Sequence, residues 1–228
     1  MLTFHNDPNL KLKYVQRFEA HRKMDEVIQG TGFENGRGCF VGCTLNKYEY
    51  SAFETELGWP EWLAYIADSI FEGLPEEEAP QFGTDLLEAV PVGVDLEPVR
   101  WKLAIKRHER QLMMLKVNTE EYAEQVRQAI QQVIEYCEYQ LAGTATEEQR
   151  KTTEFAAWTA AFAASESVFF AESARSAAWS ARSSTWSVRS STRAAARAAA
   201  CIAVEYVHWQ WERDTLLSLI RELQTGDR

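Results

Sequence analysis

The segment from Gly38 to Thr44, which reads Gly-Cys-Phe-Val-Gly-Cys-Thr, has the residue types of a reactive site. Glycines let the backbone approach a ligand closely, and a cysteine beside exposed amide groups can have a lowered thiol pKa. Cys43 would then be the nucleophile of a hydrolase or transferase, provided that the fold supplies a base and an orienting carboxylate. The candidates for these two roles are His21, His108, Glu54 and Glu56. The alternative is a pair of small buried thiols in a tight turn.

The cysteines and histidines do not have the spacing of a metal site. Cys39 and Cys43 are separated by three residues instead of the two typical of zinc hooks, and no second Cys/His pair follows. His108 lacks the second histidine of a zinc-protease helix, because position 112 is a leucine. No phosphate loop, dinucleotide fingerprint or serine elbow occurs either. The sequence therefore predicts no metal and no cofactor.

Arginines and tryptophans recur at spacings of three and four residues late in the sequence, in a set that we call the Arg/Trp stripe. Its members are Arg175, Trp179, Arg182, Trp186, Arg189 and Arg193. At these spacings on a helix, guanidinium groups stack on indole rings, and both residue types are enriched in binding hot spots. The stripe is therefore either a protein-binding surface or a structural flank. A further alternative is single-stranded nucleic acid, with phosphates on arginine and bases stacked on tryptophan.

The stripe must be positioned by a long helix. Thr146-x-x-Gln149 is a capping box, and no proline or glycine follows until Gly226. A heptad repeat runs beside the stripe, with small residues in its first part and bulky residues in its last part. We call this repeat the seam and predict that it mediates self-association. The seam residues predicted to mediate this association are Ala171, Ala174, Ala178, Ala181, Val188, Ala195, Ile202, Trp209, Leu216 and Ile220. An unbroken helix over 147–224 would span roughly 115 Å, so it either folds back at an unsignalled bend or pairs with a second subunit in a coiled coil.

The first 143 residues are expected to form a compact helical unit. Asn6-Asp7-Pro8 caps a first helix, and the glycine-rich stretch 30–45 predicts an ordered loop or small hairpin with a short strand at 39–41. Ser51-x-x-Glu54 is a further capping box, and helical periodicity continues to Gly143. The predicted fold is mainly α, with an N-terminal unit over 1–143 and a long heptad helix over 146–224.

Composition and charge limit the classes of function. The chain has 228 residues, 46% of them apolar, with no apolar run long enough for a membrane span and no signal-peptide pattern at the N-terminus. We therefore expect a cytoplasmic protein without a membrane partner and with reduced cysteines. The net charge of −10 argues against general affinity for nucleic acid, although it is unevenly distributed. Residues 51–100 hold twelve acidic side chains and one arginine, whereas 172–200 hold one acid and five arginines.

Three segments, 38–45, 50–64 and 70–75, resemble uncharacterised bacterial and phage proteins that also carry an alanine-rich tail. Those proteins tend to place histidine just after the second cysteine, where this chain has Asn46 and Lys47. No activity is implied by the resemblance, and the missing histidine weakens the thiol-enzyme alternative. By analogy, small accessory proteins of mobile elements often inhibit host machinery.

These observations favour a non-enzymatic interaction protein. We expect it to associate with itself, as a homo-oligomer and most simply a dimer, and to bind a further protein partner through the Arg/Trp stripe or the acidic 51–100 surface. Inhibition of a host defence system is one concrete form of this function. The Cys43-dependent enzyme and single-stranded nucleic-acid binding remain the alternatives.

Overall fold

A computed structural model describes residues 1–115, 123–163, 168–181, 194 and 205–225. Over these residues the fold is mainly helical, as predicted, with a single short hairpin. No helix in this part of the chain is both long and apolar enough to cross a bilayer. The contacts divide the chain into two compact units: unit 1 comprises Met1–Val99 and Trp209–Arg228, and unit 2 comprises Arg100–His208.

The first elements of unit 1 follow local signals in the sequence. A short 3₁₀ turn, Thr3–Asn6, precedes α1, Pro8–Lys23. The Asp7 side chain accepts a hydrogen bond from the Asn9 amide at 2.8 Å, and Pro8 occupies the first turn, where no amide proton is needed. The predicted N-terminal cap is therefore confirmed.

The glycine-rich stretch forms the predicted hairpin, but the helix that follows it was not expected. Strands β1, Phe33–Glu34, and β2, Arg37–Gly38, pair antiparallel across Asn35 and Gly36, which both have positive φ. The expected strand at 39–41 is wrong, because Phe40–Leu45 is helix α2 with Cys39 at its N-cap. Every side chain of α2 is buried, so its apolar run fits a short core helix as well as a strand.

Three helices complete this half of unit 1: α3, Ala52–Leu57; α4, Glu61–Gly73; and α5, Ala79–Ala89. Together with α1, α2 and the intervening turns, they supply a set of fully buried aromatic rings to the core. That set comprises Phe4, Phe18, Phe40, Phe53, Trp59, Phe71 and Phe82. Aromatic side chains bury more apolar area per residue than other residue types, so this set forms the hydrophobic core of unit 1.

The C-terminal helix, which we label α10, Glu205–Thr225, contributes its later turns to unit 1. Gly73 lies so close to the Trp209 indole that a Cβ on it would come within 2.3 Å of the ring. Gln210 donates to the Glu78 carboxylate at 2.7 Å, and Arg213 pairs with the same group. Leu216 and Ile220 are fully buried. The bulky end of the predicted seam thus packs into this core.

Unit 2 contains most of α6, Glu97–Leu115, together with α7, Ala123–Leu141, α8, Glu147–Ala163, and α9, Val168–Ser180. The capping box at the start of α8 is confirmed. The Thr146 amide donates to Gln149 Oε1 at 2.7 Å, and the Gln149 amide donates to Thr146 Oγ1 at 3.2 Å. Helices on both sides of the boundary that the sequence places at 143–146 belong to this unit.

The continuous helix predicted over 147–224 is wrong within the described residues. Trp158 of α8 and Trp179 of α9 pack edge to face with ring centroids 5.2 Å apart. In one straight helix, residues this far apart in sequence would lie roughly 30 Å from each other. Helices α8 and α9 therefore pack side by side and are not parts of one straight helix. Of the two arrangements that the sequence left open, folding back is the one observed.

The small residues of the seam are used inside this folded-back pair. Ala157 and Ala160 of α8, Ala174 and Ala178 of α9, and Ala181 directly after α9 are all fully buried. They pack in one cluster with apolar side chains of α7, among them Val126, Ile130 and Val133. Among the described residues, close packing of the seam alanines is thus achieved within one chain.

Candidate functional site

The backbone around Cys39 and Cys43 is packed too tightly to admit a ligand. A Cβ on Gly42 would lie 1.9 Å from the Gly32 carbonyl oxygen, and one on Gly38 would lie 2.3 Å from it. The two glycines therefore allow two backbone segments of the same chain to pack closely together. Their role in this segment is structural, and the tight-turn interpretation of the sequence fits the geometry.

The Cys43 thiol is fully buried and donates to the carbonyl oxygens of Gly38, at 3.3 Å, and Glu26, at 3.6 Å. Burial raises the pKa of this thiol to about 12, because the low-dielectric interior disfavours the thiolate. Of the two interpretations of this segment, the geometry fits the pair of small buried thiols. A thiol that stays protonated near neutral pH is a poor nucleophile.

The predicted partners of Cys43 are engaged in other contacts. His21 Nδ1 lies 2.6 Å from Glu26 Oε2, and His21 Nε2 lies 2.8 Å from Asn46 Oδ1. His108 is buried in unit 2, with Nδ1 2.7 Å from Gln111 Oε1. Both ring nitrogens of His21 are therefore engaged with Glu26 and Asn46 and not with Cys43.

The two glutamates proposed as orienting groups are also accounted for. Glu54 accepts from the amide of Glu61 at 3.2 Å, so it caps the start of α4 and does not close a capping box with Ser51. Glu56 accepts from the Tyr14 hydroxyl at 2.7 Å and pairs with Lys47 at 3.0 Å. Both carboxylates stabilise the fold of unit 1.

One group of potential metal ligands was missed by the sequence analysis. The Cys39 thiol and the carboxylates of Asp68 and Glu72 lie within 4.8 Å of one another, the single such group among the described residues. Asp68 and Glu72 stand one helical turn apart on α4, and Cys39 approaches from the N-cap of α2. These three side chains are the ones in the described chain that could hold a divalent cation.

The surroundings of Cys39 and Glu72 disfavour the charged forms of both groups. Burial, followed by the nearby Asp68 carboxylate, raises the pKa of the Cys39 thiol. Burial also raises the pKa of Glu72, although its carboxylate accepts from the Gly30 amide at 2.8 Å. The Tyr50 hydroxyl donates to Asp68, and burial raises the pKa of Tyr50 as well. Each of the three side chains has a hydrogen-bond partner within the fold, and the cluster lies at the contact between α2 and α4.

The described part of the Arg/Trp stripe lies on α9. The Arg175 guanidinium pairs with the Glu172 carboxylate, and Trp179 packs on Trp158 of α8. The remaining members, Arg182, Trp186, Arg189 and Arg193, lie outside the described residues. The first two residues of the stripe, Arg175 and Trp179, therefore lie on α9 where it packs against α8.

The predicted self-association residues that the structure describes are buried within one chain. Ala174, Ala178 and Ala181 lie in the core of unit 2, whereas Trp209, Leu216 and Ile220 lie in the core of unit 1. Ala171 belongs to α9, but its side chain is outside the description, as are residues Val188, Ala195 and Ile202 altogether. Buried side chains of this kind are not available to a second copy unless the helices separate.

A different face of α8 is left uncovered. Phe155 is 75% exposed and Phe162 is 84% exposed, and these are the two most exposed large apolar side chains among the described residues. Thr152 and Thr159 are exposed on the same side of the helix, at the spacings of three and four that define one face. We call these four residues the aromatic face of α8. The sequence analysis missed it because the alanine seam dominates the periodicity.

Comparison with known proteins adds no family to these observations. No protein-family model matches the chain, and neither does any curated protein or solved structure. The resemblance suggested by the segments at 38–45, 50–64 and 70–75 therefore stays a prediction.

Proposed function

We propose that the protein is a non-enzymatic interaction protein that associates with a second copy of itself through the aromatic face of α8. The observation that supports this proposal is the exposure of Phe155 and Phe162 on one face of a helix whose opposite face is buried. An exposed apolar patch of this kind is typical of an interaction surface. The alternative of a Cys43-dependent enzyme has less support, because His21 and His108 are engaged in other contacts and burial raises the pKa of the Cys43 thiol.

The spacing of the two phenylalanines suits a symmetric pair of helices. They are seven residues apart, so the midpoint between them falls between Trp158 and Thr159. If two copies of α8 pack antiparallel about a two-fold axis at this point, Phe155 of each copy faces Phe162 of the other. An interface between identical chains must be self-complementary in this way.

The apolar area sets the expected strength of the dimer. A phenylalanine side chain buries roughly 150–250 Å², so the exposed parts of the two rings offer roughly 300 Å² on each copy. Burying both sets stabilises the pair by roughly 15 kcal/mol before an association cost of roughly 4–15 kcal/mol is subtracted. We therefore expect a reversible dimer whose population depends on concentration, with the flanking threonines and the half-buried Trp158 completing the interface.

Sedimentation velocity over a concentration series of about 1–100 μM tests the proposal, since this range brackets the affinities of reversible dimers. The unchanged chain should shift from monomer to dimer across the series. The double variant Phe155→Ser, Phe162→Ser should weaken association at least tenfold. Leu12→Ser, which alters a 53% exposed side chain on α1, is the matched control and should leave association unchanged.

Two outcomes would overturn the proposal. One is a chain that stays monomeric over the whole series, and the other is a double variant that dimerises as well as the unchanged chain. Circular dichroism of each variant shows whether its helices are intact, and exposed positions are expected to tolerate serine. Inhibition of host defence remains a proposal that rests on the sequence resemblance, and its partner would be sought with the same double variant as the control.

A further inference from the structure

A cleft of about 430 Å³ lies between α7 and α8, within unit 2 and close to the turn that joins the two helices. Helix α7 contributes Gln132, Glu135 and Tyr139 to its wall, and α8 contributes Glu148, Thr152 and Thr153. Both helices contribute buried residues to the core cluster of unit 2, which fixes the position of one helix against the other. Its size lies within the range of small-molecule and side-chain binding sites.

Most of the polar side chains that line the cleft are not used by the fold. Neighbouring Gln149 and Thr146 bond each other in the cap of α8, and the Tyr136 hydroxyl accepts from Gln140 at 2.6 Å. By contrast, the other six lining side chains, Gln132, Glu135, Tyr139, Glu148, Thr152 and Thr153, make no side-chain hydrogen bond or ion pair with any described residue. Two carboxylates, an amide, a phenol and two hydroxyls therefore face the same space with their bonding capacity available.

Thr153 is the most informative of these side chains. It is only 6% exposed, yet its hydroxyl has no described partner. A threonine in a helix usually bonds the carbonyl four residues earlier, as Thr159 does with Phe155 O at 2.9 Å. The Thr153 hydroxyl is therefore available to bond a ligand that reaches the base of the cleft.

The chemistry of the wall selects a cation. Glu135 and Glu148 are both exposed and unpaired, and no lysine or arginine lines the cleft. Carboxylate, amide and hydroxyl oxygens accept hydrogen bonds, so the matching ligand is rich in donors. Tyr139, which is 42% exposed, adds an aromatic ring that attracts a positive charge.

We infer that this cleft binds an organic cation, namely an alkyl-guanidinium or alkyl-ammonium group. The charged head lies between Glu135 and Glu148, and the aliphatic stem packs along Tyr139. The same chemistry is present in an arginine or lysine side chain of a peptide and in a free polyamine. Thr152 belongs to both this cleft and the aromatic face of α8, but Glu135 and Glu148 lie outside that face, so the inference does not depend on dimer formation.

Titration of the isotope-labelled chain, followed by the amide signals of α7 and α8 in NMR spectra, tests this inference. The probes are N-acetyl-arginine N-methylamide, spermidine, and N-acetyl-citrulline N-methylamide, a neutral isostere of the first. At roughly 0.15 M salt, exposed charges beyond about 8 Å are screened, so general attraction to an acidic protein is suppressed. We expect saturable shifts around 132–153 with a cationic probe and none with the citrulline compound.

Three variants locate the site. Glu135→Gln and Glu148→Gln should each raise Kd at least tenfold, because a charge-assisted hydrogen bond is lost. Glu138→Gln removes an equally exposed charge from the same helix outside the cleft, and it should leave Kd within twofold. Comparison of the two cationic probes identifies the source, since tighter binding of the arginine compound indicates a peptide side chain and tighter binding of spermidine indicates a polyamine.

The inference is overturned if neither cation shifts the signals of residues 132–153. It is equally overturned if the citrulline compound binds as well as the arginine compound, or if Glu138→Gln weakens binding as much as the two cleft variants. Each of these results would mean that the cleft does not recognise positive charge.

Discussion

The buried thiols lead to a quantitative prediction about cysteine alkylation. Burial raises the pKa of Cys43 from an ordinary value of 9.0 to about 12, and the pKa of Cys137 rises to a similar value for the same reason. Near neutral pH the fraction of thiolate at each site is therefore about a thousandfold smaller than in an exposed cysteine. Because neither side chain is exposed, reaction also requires the fold to open, which lowers the rate further.

The assay is alkylation by iodoacetamide at about pH 7.5, a pH at which ordinary cysteines react, followed by mass spectrometry of each cysteine-containing peptide. Cys201 lies outside the described residues, so the Cys201→Ser variant is used to isolate the described thiols. The same chain unfolded in guanidinium chloride supplies the reference rate. We expect Cys43 to react at least about a thousandfold more slowly in the folded chain.

Preferential labelling of Cys43 would refute the reasoning. If Cys43 in the folded chain reacted as fast as in the unfolded chain, or faster, the thiol would be neither buried nor protonated in solution. The thiol-enzyme alternative would then be favoured over the interaction protein.

Three further predictions concern stability, each measured by urea denaturation. Gly42→Ala should cost about 3 kcal/mol or prevent folding, because its methyl group would meet the Gly32 carbonyl oxygen, whereas Gly30→Ala, with open space but a φ of 76°, should cost about 1 kcal/mol. Thr146→Ala should cost about 1 kcal/mol through loss of the α8 cap. Stability should fall as pH rises from 9.0 toward about 12, because the folded chain keeps protons on Cys43 and Cys137 that the unfolded chain releases above 9.0. An unchanged urea midpoint for Gly42→Ala or Thr146→Ala would contradict the contact that each variant removes or disrupts. A midpoint that does not change between pH 9.0 and about 12 would contradict the raised pKa values of Cys43 and Cys137.

Local features of the fold were predictable because neighbouring residues determine them. The Asp7 cap, the Asn35-Gly36 turn and the Thr146 capping box each depend on a few adjacent side chains, and all three are present. Ser51 and Glu54 show the limit of such signals. Glu54 reaches the amide of the next helix, and this choice depends on the position of α4.

The reversal between α8 and α9 could not be predicted, because no glycine or proline marks it. A seam of alanines packs equally well against a helix of the same chain or of another chain, so periodicity alone does not identify the partner. The grouping of Cys39 with Asp68 and Glu72 was missed for a similar reason. The two acids are one turn apart in the sequence, but the approach of Cys39 depends on how α2 packs against α4.

The central claim is that the alanine seam holds one chain together while the aromatic face of α8 joins two chains. The most direct test is oxidation of a Thr159→Cys variant in a Cys201→Ser background. Thr159 lies beside the proposed two-fold axis, where antiparallel helices 8–10 Å apart bring facing Cα atoms within reach of a disulfide. We predict a covalent dimer from Thr159→Cys and little from Thr152→Cys, which is exposed on the same face but roughly 10 Å from the axis along the helix. Equal yields from the two variants, or no covalent dimer from Thr159→Cys, would contradict the claim.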